Sequence, residues 1–175
     1  MESIPSLENS LPTGSWTLYY HHPADHRWTL DSYQKIITVK TWGEFFACMN
    51  ALEDNVLQNA MLFWMREDIP PLYENHNNIR GGCYSLRVNR SKSSNFFLLY
   101  AISCMLGNVV LDKDNQIQGI SISPKRVIEK SQVFNVIKIW NKDCTKYKDI
   151  SQLVKLDNIQ TSSEIIYTPH VQKKL

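Results

Sequence analysis

The feature that most restricts the fold is the order of the hydrophobic patterns along the chain. Short strand-like segments follow one another without a helix between each pair. Trp16, Leu18 and Tyr20 alternate with polar or smaller residues, and residues 35–40 form a β-branched run. Further strand patterns lie at 60–65, 84–88, 117–123, 133–140 and 164–168. Helical signals are fewer. Thr41, three residues before Glu44, has capping-box spacing, and Phe45, Phe46, Met49 and Leu52 then recur at helical intervals, predicting a helix over about 41–53. Ser94 can cap a second helix over about 95–106, which Gly107 can end. Asp149 can cap a short third one containing Ile150, Leu153 and Val154. Strands without regular β-α-β alternation predict an α+β fold, an antiparallel sheet with helices on one face. Residues 1–13 carry Pro, Ser and Asn with little periodicity and read as a flexible N-terminal arm, leaving 14–175 as one domain. Residues 67–82 read as a long polar loop with Pro70, Pro71, Gly81 and Gly82, and loops of that length inside a compact domain are often functional.

Charge and cysteine usage narrow the function. A net charge of +2 is too mild for a protein held on nucleic acid mainly by phosphate contacts, so any RNA it grips should offer a small, chemically distinct feature. Five Trp and eight Tyr are enough for some rings to serve as binding surface rather than core. Cys48, Cys83, Cys104 and Cys144 are widely spaced, and the first 15 residues do not resemble a signal peptide. Free thiols in a reducing, cytoplasmic setting are the expectation. No apolar run reaches the ~18–20 residues that span a bilayer, so no membrane association is expected. His21, His22, Asp25 and His26 cluster, but metal binding needs three or four ligands in fixed geometry, and a solvated loop is the expectation. Cys83 has no neighbouring catalytic pattern and reads as a buried or spare thiol. No catalytic residue, metal or cofactor is expected, and the chain reads as a monomer on its own.

Three groups of residues carry a family resemblance. Trp16 and Trp28 precede Thr41-Trp-Gly-Glu-Phe-Phe46; Ile69-Pro-Pro-Leu-Tyr-Glu74 precedes Asn78-Ile-Arg-Gly-Gly82; Gly119-Ile-Ser-Ile-Ser-Pro-Lys125 precedes Val136-Ile-Lys-Ile-Trp140. In this order and at this spacing, over about residues 14–170, the chain resembles the eukaryotic translation initiation factor 4E family, which binds the messenger RNA cap. The resemblance implies a curved antiparallel sheet of about eight strands, three helices on its convex face and a cap slot on its concave face.

It also implies site residues whose chemistry suits a cap. Methylation at N7 gives guanine a delocalised positive charge, and aromatic faces attract a cation by up to ~2 kcal/mol per desolvated contact. By resemblance Trp28 and Tyr73 are the sandwiching rings, with Tyr73 where most members carry Trp. Glu74 would accept from the guanine N1–H and N2–H₂ edge, and Trp140 would lie beside the methyl group. Lys125 would contact the triphosphate, with Arg126 and Lys130 assisting. The family's basic residue four before the last Trp is Val136 here, and the one directly after Gly-Gly is Cys83, so the phosphate grip is reduced or rebuilt. On the convex face, Trp42, Phe46, Leu99, Tyr100 and Ser103 match positions that take a helical peptide from a scaffold or repressor protein. Two readings stay open: an initiation factor that recruits a scaffold to capped mRNA, and a divergent cap-binding repressor or decoy that does not. The Arg80-Gly-Gly turn is expected to be structural, with glycine supplying positive φ.

Overall fold

The computed structural model describes residues 6–156 and 165–171. Seven described strands form one antiparallel sheet: β1 (Trp16–His21), β2 (Tyr33–Val39), β3 (Met61–Arg66), β4 (Gly82–Asn89), β5 (Ile117–Val127), β6 (Gln132–Asn141) and β7 (Ile165–Pro169). Their spatial order is β2-β1-β3-β5-β6-β4-β7, and the sheet is curved and open. Against the expected eight, seven strands stand among the described residues, and Glu164 of the last expected strand lies outside them. Among the described residues three α-helices accompany the sheet: α1 (Trp42–Ala51), α2 (Asp54–Asn59) and α3 (Ser93–Leu106).

Alternation along the strands sorts the side chains into two layers. Trp16, Leu18, Leu62, Trp64, Leu86, Ile120, Ile122, Ile137 and Ile139 point to the helix side and join Phe45, Phe97 and Met105 in the main core. The residues between them point the other way. Tyr19, Phe63, Met65, Cys83 and Trp140 form a second, smaller cluster on the concave side, with Ile69. That cluster is the floor of the site described below.

Several local expectations need revision. The α1 capping box is present, with Thr41 Oγ1 accepting from Glu44 N at 3.2 Å and Glu44 Oε2 accepting from Thr41 N at 3.3 Å. Ser94, however, does not cap α3, which starts at Ser93 after a 3₁₀ turn over Arg90–Lys92; Gly107 ends it at φ +79°. Helix α2 has no counterpart in the sequence reading. Asp149 caps a single 3₁₀ turn, Ile150–Gln152, rather than a helix. The polar loop expected between the β5 and β6 segments is instead a tight hairpin, its tip at Ile128–Lys130 and Ser131. The described part of the N-terminal arm is tied down. Trp42 N donates to Asn9 O at 3.1 Å, Gly43 N donates to Leu7 O at 2.7 Å, and Leu11 is buried in the core. Gly81 and Gly82 do not adopt positive φ; a side chain on Gly81 would run into the Asn141 backbone, so close approach requires the glycine.

Helix α3 also reorients part of the expected partner surface. It is apolar nearly all round, and its core phase runs through Phe97, Tyr100, Ala101, Cys104 and Met105. Tyr100 is fully buried, Ser103 is 9% exposed and Trp42 is 5% exposed, so these three contribute little accessible surface. Phe46 and Leu99 are partly exposed.

Candidate functional site

Two loops and four strands line a cavity of about 370 Å³ on the concave face, with Tyr33 of β2 and Met61 and Phe63 of β3 among its lining residues. The β1–β2 loop brings Trp28, the β3–β4 loop brings Leu72, Tyr73 and Glu74, and β5 and β6 bring Ser121, Ser123, Lys125, Lys138 and Trp140. Of the residues expected at a cap, the structure unites Trp28, Tyr73, Glu74, Trp140 and Lys125. Arg126 and Lys130 do not line the cavity. Arg126 pairs with Val133 on the alternate face of the hairpin, and Lys130 sits at its exposed tip.

Each flat ring is held by an imidazole. Trp28, 50% exposed, stacks on His21 with centroids 4.2 Å apart and planes within 8°. His21 is fully buried and fixed by its Nε2, 2.7 Å from the Arg27 carbonyl; it backs Trp28 from behind rather than lying in a solvated loop. Tyr73 stacks on His170 at 4.6 Å, and its hydroxyl accepts from Lys138 Nζ at 3.1 Å. Neither histidine lines the cavity, whereas Trp28 and Tyr73 both do. Trp140 forms the floor, 1% exposed, with Nε1 donating to Ser121 Oγ at 3.2 Å. Among the described residues nothing donates to the Glu74 carboxylate, which leaves its oxygens open to a ligand with two adjacent N–H groups.

Two cations complete the slot. Lys125 and Lys138 both line it, and neither has an ion pair among the described residues. Burial, and then the nearby Lys138, lower the Lys125 pKa, as expected where two ammonium groups are held close without a counter-ion. Such a pair favours an anionic ligand group. Cys83 is buried behind Tyr73, and burial pushes its thiol up to about 12, so it carries no nucleophilic thiolate at neutral pH.

Sequence reasoning missed Lys138, His21, His170 and Asn78. The first two had a signal. Lys138 lies two residues before Trp140 and His21 two after Tyr19, so strand alternation puts each on the concave face. His170 is brought in by long-range pairing of β7 with β4. Asn78 is fully buried and staples the 67–82 loop, its Nδ2 donating to Pro70 O at 2.9 Å and Leu72 O at 2.8 Å. Asn78→Ala should leave both carbonyls short of a donor, at about 1–3 kcal/mol. The expected result is faster limited proteolysis within the loop and a lower urea midpoint.

His170 gives the fold an acid limit. Burial, and then Lys138, depress its pKa from 6.5 to about 4, so the folded state holds it neutral. Below about 6.5 the unfolded chain takes up a proton that the folded chain refuses, and stability falls as pH drops from about 6.5 toward about 4. In His170→Gln the urea midpoint should lose much of its pH dependence over that window.

A curved antiparallel sheet, backed by helices and holding an aromatic slot with one carboxylate and two lysines, defines a class of small-ligand binding module. A sequence profile of the eukaryotic initiation factor 4E family matches residues 13–174, and the chain belongs to that family. It is a family of translation factors, not of enzymes. The chain is 25% identical over 170 residues to the Dictyostelium discoideum translation initiation factor 4E, covering 85% of this chain and 64% of that protein. Against the Candida albicans factor it is 24% identical over 151 residues, covering 80% and 69%. It thus spans about two thirds of these relatives' length. Among solved structures, Ascaris suum eIF4E-3 in complex with an m2,2,7G cap superposes with a TM-score of 0.62 at 20% identity, covering 78% and 75% of the two chains. Caenorhabditis elegans eIF4E-3, solved with the 4E-binding protein Mextli and a cap analogue, gives 0.63 at 18% identity, covering 79% and 76%. These likenesses establish the fold.

Proposed function

We propose that the chain binds the 7-methylguanosine cap of mRNA in the concave slot and acts in translation initiation. The observation that carries this reading is the convergence of Trp28, Tyr73 and an open Glu74 carboxylate over the Trp140 floor, with Lys125 and Lys138 at the side. The two rings hold the cationic base between their faces, Glu74 accepts its N1–H and N2–H₂, and the lysines face the triphosphate. Lys138 takes over from the family cations that Val136 and Cys83 replace. The test is a titration with 7-methyl-GTP followed by tryptophan fluorescence, with GTP as control. Quenching by the methylated ligand at concentrations where GTP has no effect supports the reading; equal response to both sinks it.

The convex face supports a protein partner. On α3, Leu99 is partly exposed and Leu106 is 39% exposed, while Leu98 and Ile102, like Phe46 of α1, pack against the core and keep part of their surface exposed. An apolar stripe of this kind takes an amphipathic helix, and the scaffold contact is assigned to it rather than to Trp42, Tyr100 and Ser103. A scaffold-derived helical peptide should bind with the slot already filled, and Leu99→Asp should abolish that binding without changing affinity for 7-methyl-GTP. The second reading, a repressor or decoy, is favoured by the burial of Tyr100 where the family presents an acidic side chain to its partner. Absence of peptide binding at high micromolar concentration, with cap binding intact, would select it.

A further inference from the structure

Tyr73 carries a group that stacking does not need. Its ring is already held by two others. His170 is stacked on it at 4.6 Å with planes 23° apart, and Trp140 is tilted against it at 4.8 Å. The hydroxyl makes a different contact. It accepts from Lys138 Nζ at 3.1 Å, and no other hydrogen bond or ion pair of that ammonium is present among the described residues. The same nitrogen lies 5.7 Å from the ring centroid. That is close to the longest separation that a hydrogen bond of this length to a para hydroxyl permits. The ammonium therefore sits out beyond the oxygen and not over the ring face.

Lys138 needs such a hold. A flexible four-carbon stem has many rotamers, and ordering it when a ligand arrives costs affinity. Two cavities also compete for it. Tyr73 and Lys138 line the slot, and both line a smaller cavity of about 220 Å³ together with Cys83, Ser85, Thr168 and His170. In the smaller cavity the Ser85 and Thr168 hydroxyls are alternative acceptors for an ammonium. Register sets Lys138 opposite Ser85 of β4 on one side and Ser121 of β5 on the other. The backbone thus fixes where the stem starts, not where the ammonium ends. The Tyr73 hydroxyl sets that end, and it uses one of three donors, leaving two for a ligand.

We propose that Tyr73 is a positioning residue for phosphate as well as a stacking ring: its hydroxyl pins Lys138 where the two cavities meet, so that a nucleotide stacked on Tyr73 meets a cation already set for its phosphates. The proposal rests on the cap reading and deepens it, because it ties recognition of base and phosphate to one side chain. It also gives a physical reason for tyrosine where most members of the family carry tryptophan. An indole N–H donates and cannot accept, so tryptophan would stack but would release the lysine. With Val136 and Cys83 standing where the family has cations, holding the remaining cation in place matters more.

The experiment measures, by isothermal titration, the ratio of affinities for 7-methyl-GTP and for 7-methylguanosine, which carries no phosphate. The ratio separates the phosphate contribution from stacking. In Tyr73→Phe it should fall about fivefold, the cost of ordering one flexible side chain on binding. Tyr73→Trp should show a similar fall in the ratio despite its larger ring. Lys138→Met should lower the ratio at least as far, and adding Tyr73→Phe to Lys138→Met should change it no more, because the hydroxyl acts only through the lysine. A merely structural role for the hydroxyl would weaken both ligands alike and leave the ratio at its wild-type value. That result, a wild-type ratio in Tyr73→Trp, or effects of Tyr73→Phe and Lys138→Met that multiply in the double variant, would overturn the proposal while the cap reading stands. A wild-type chain that does not prefer 7-methyl-GTP to GTP would remove the cap reading and the proposal with it.

Discussion

Glu74→Gln should weaken binding of 7-methyl-GTP at least about 30-fold, and Trp28→Ala should weaken it by a similar factor, with neither change altering the melting temperature by more than a degree or two. The arithmetic begins with the carboxylate. Hydrogen bonds to a charged group are worth about 1.5–3 kcal/mol, and the guanine edge donates two. The glutamine amide can accept only one of these and sets its own N–H₂ against the other donor, so a loss of about 2 kcal/mol is a lower bound, equivalent to about 30-fold. Trp28 contributes through a different term. Its ring is attracted to the cationic base by up to ~2 kcal/mol when desolvated, and apolar contact adds to that. Stability should be spared because Glu74 is exposed and Trp28 is half-exposed, outside both buried clusters. The two variants also separate the terms. Trp28→Ala should narrow the preference for methylated over unmethylated ligand, whereas Glu74→Gln should weaken both by similar factors. Isothermal titration with each ligand checks the pattern, and a Glu74→Gln variant with wild-type affinity would remove the carboxylate from the site.

What could be read in the sequence depends on how local each signal was. Strands came from side-chain alternation and α1 from a capping box within four residues, and both are set by near neighbours. The slot was legible because its rings, carboxylate and one lysine sit in segments whose order is distinctive. Lys138 was legible in principle, since it alternates with Trp140, but comparison with the family drew attention to Val136, where the cation is missing. Tyr100 shows a different limit. Helix α3 is apolar on nearly every side, so periodicity does not say which stripe faces the core, and a position matched to a surface residue elsewhere lies buried here. Asn78 and His170 were out of reach. Their roles arise from a loop folding back on itself and from a last strand pairing across the sheet, and neither leaves a pattern in adjacent residues.

The second large effect is expected outside the slot's lining, at Asn141. This fully buried side chain joins several elements at the end of β6. Its Oδ1 accepts from Gly82 N at 3.1 Å and from the Tyr167 hydroxyl at 2.7 Å, fixing the start of β4 and the last strand β7. Its Nδ2 donates to Asn115 Oδ1 at 3.0 Å and to the Asp143 carbonyl at 3.1 Å. Asn141→Ala orphans a backbone N–H, a phenol and an amide oxygen in the interior at once. Each costs about 1–3 kcal/mol when water cannot replace the partner, so the variant should lose about 3–5 kcal/mol, a large fraction of the ~5–15 kcal/mol typical of a domain. Asn141→Asp tests the mechanism. It keeps the acceptors for Gly82 and Tyr167, but it buries a charge and turns an oxygen toward Asn115 and Asp143, so it should be no more stable than the alanine variant at neutral pH and should recover as the carboxyl is protonated. Urea unfolding at pH 7 and pH 5 reads both. Because β4 begins beside the loop that carries Tyr73 and Glu74, and β7 carries on to His170 behind Tyr73, the same variant should lose ligand affinity although Asn141 does not line the slot. If Asn141→Ala unfolds at the wild-type urea midpoint, the buried hub contributes nothing, and the register of β4 against β6 is held by the main core alone.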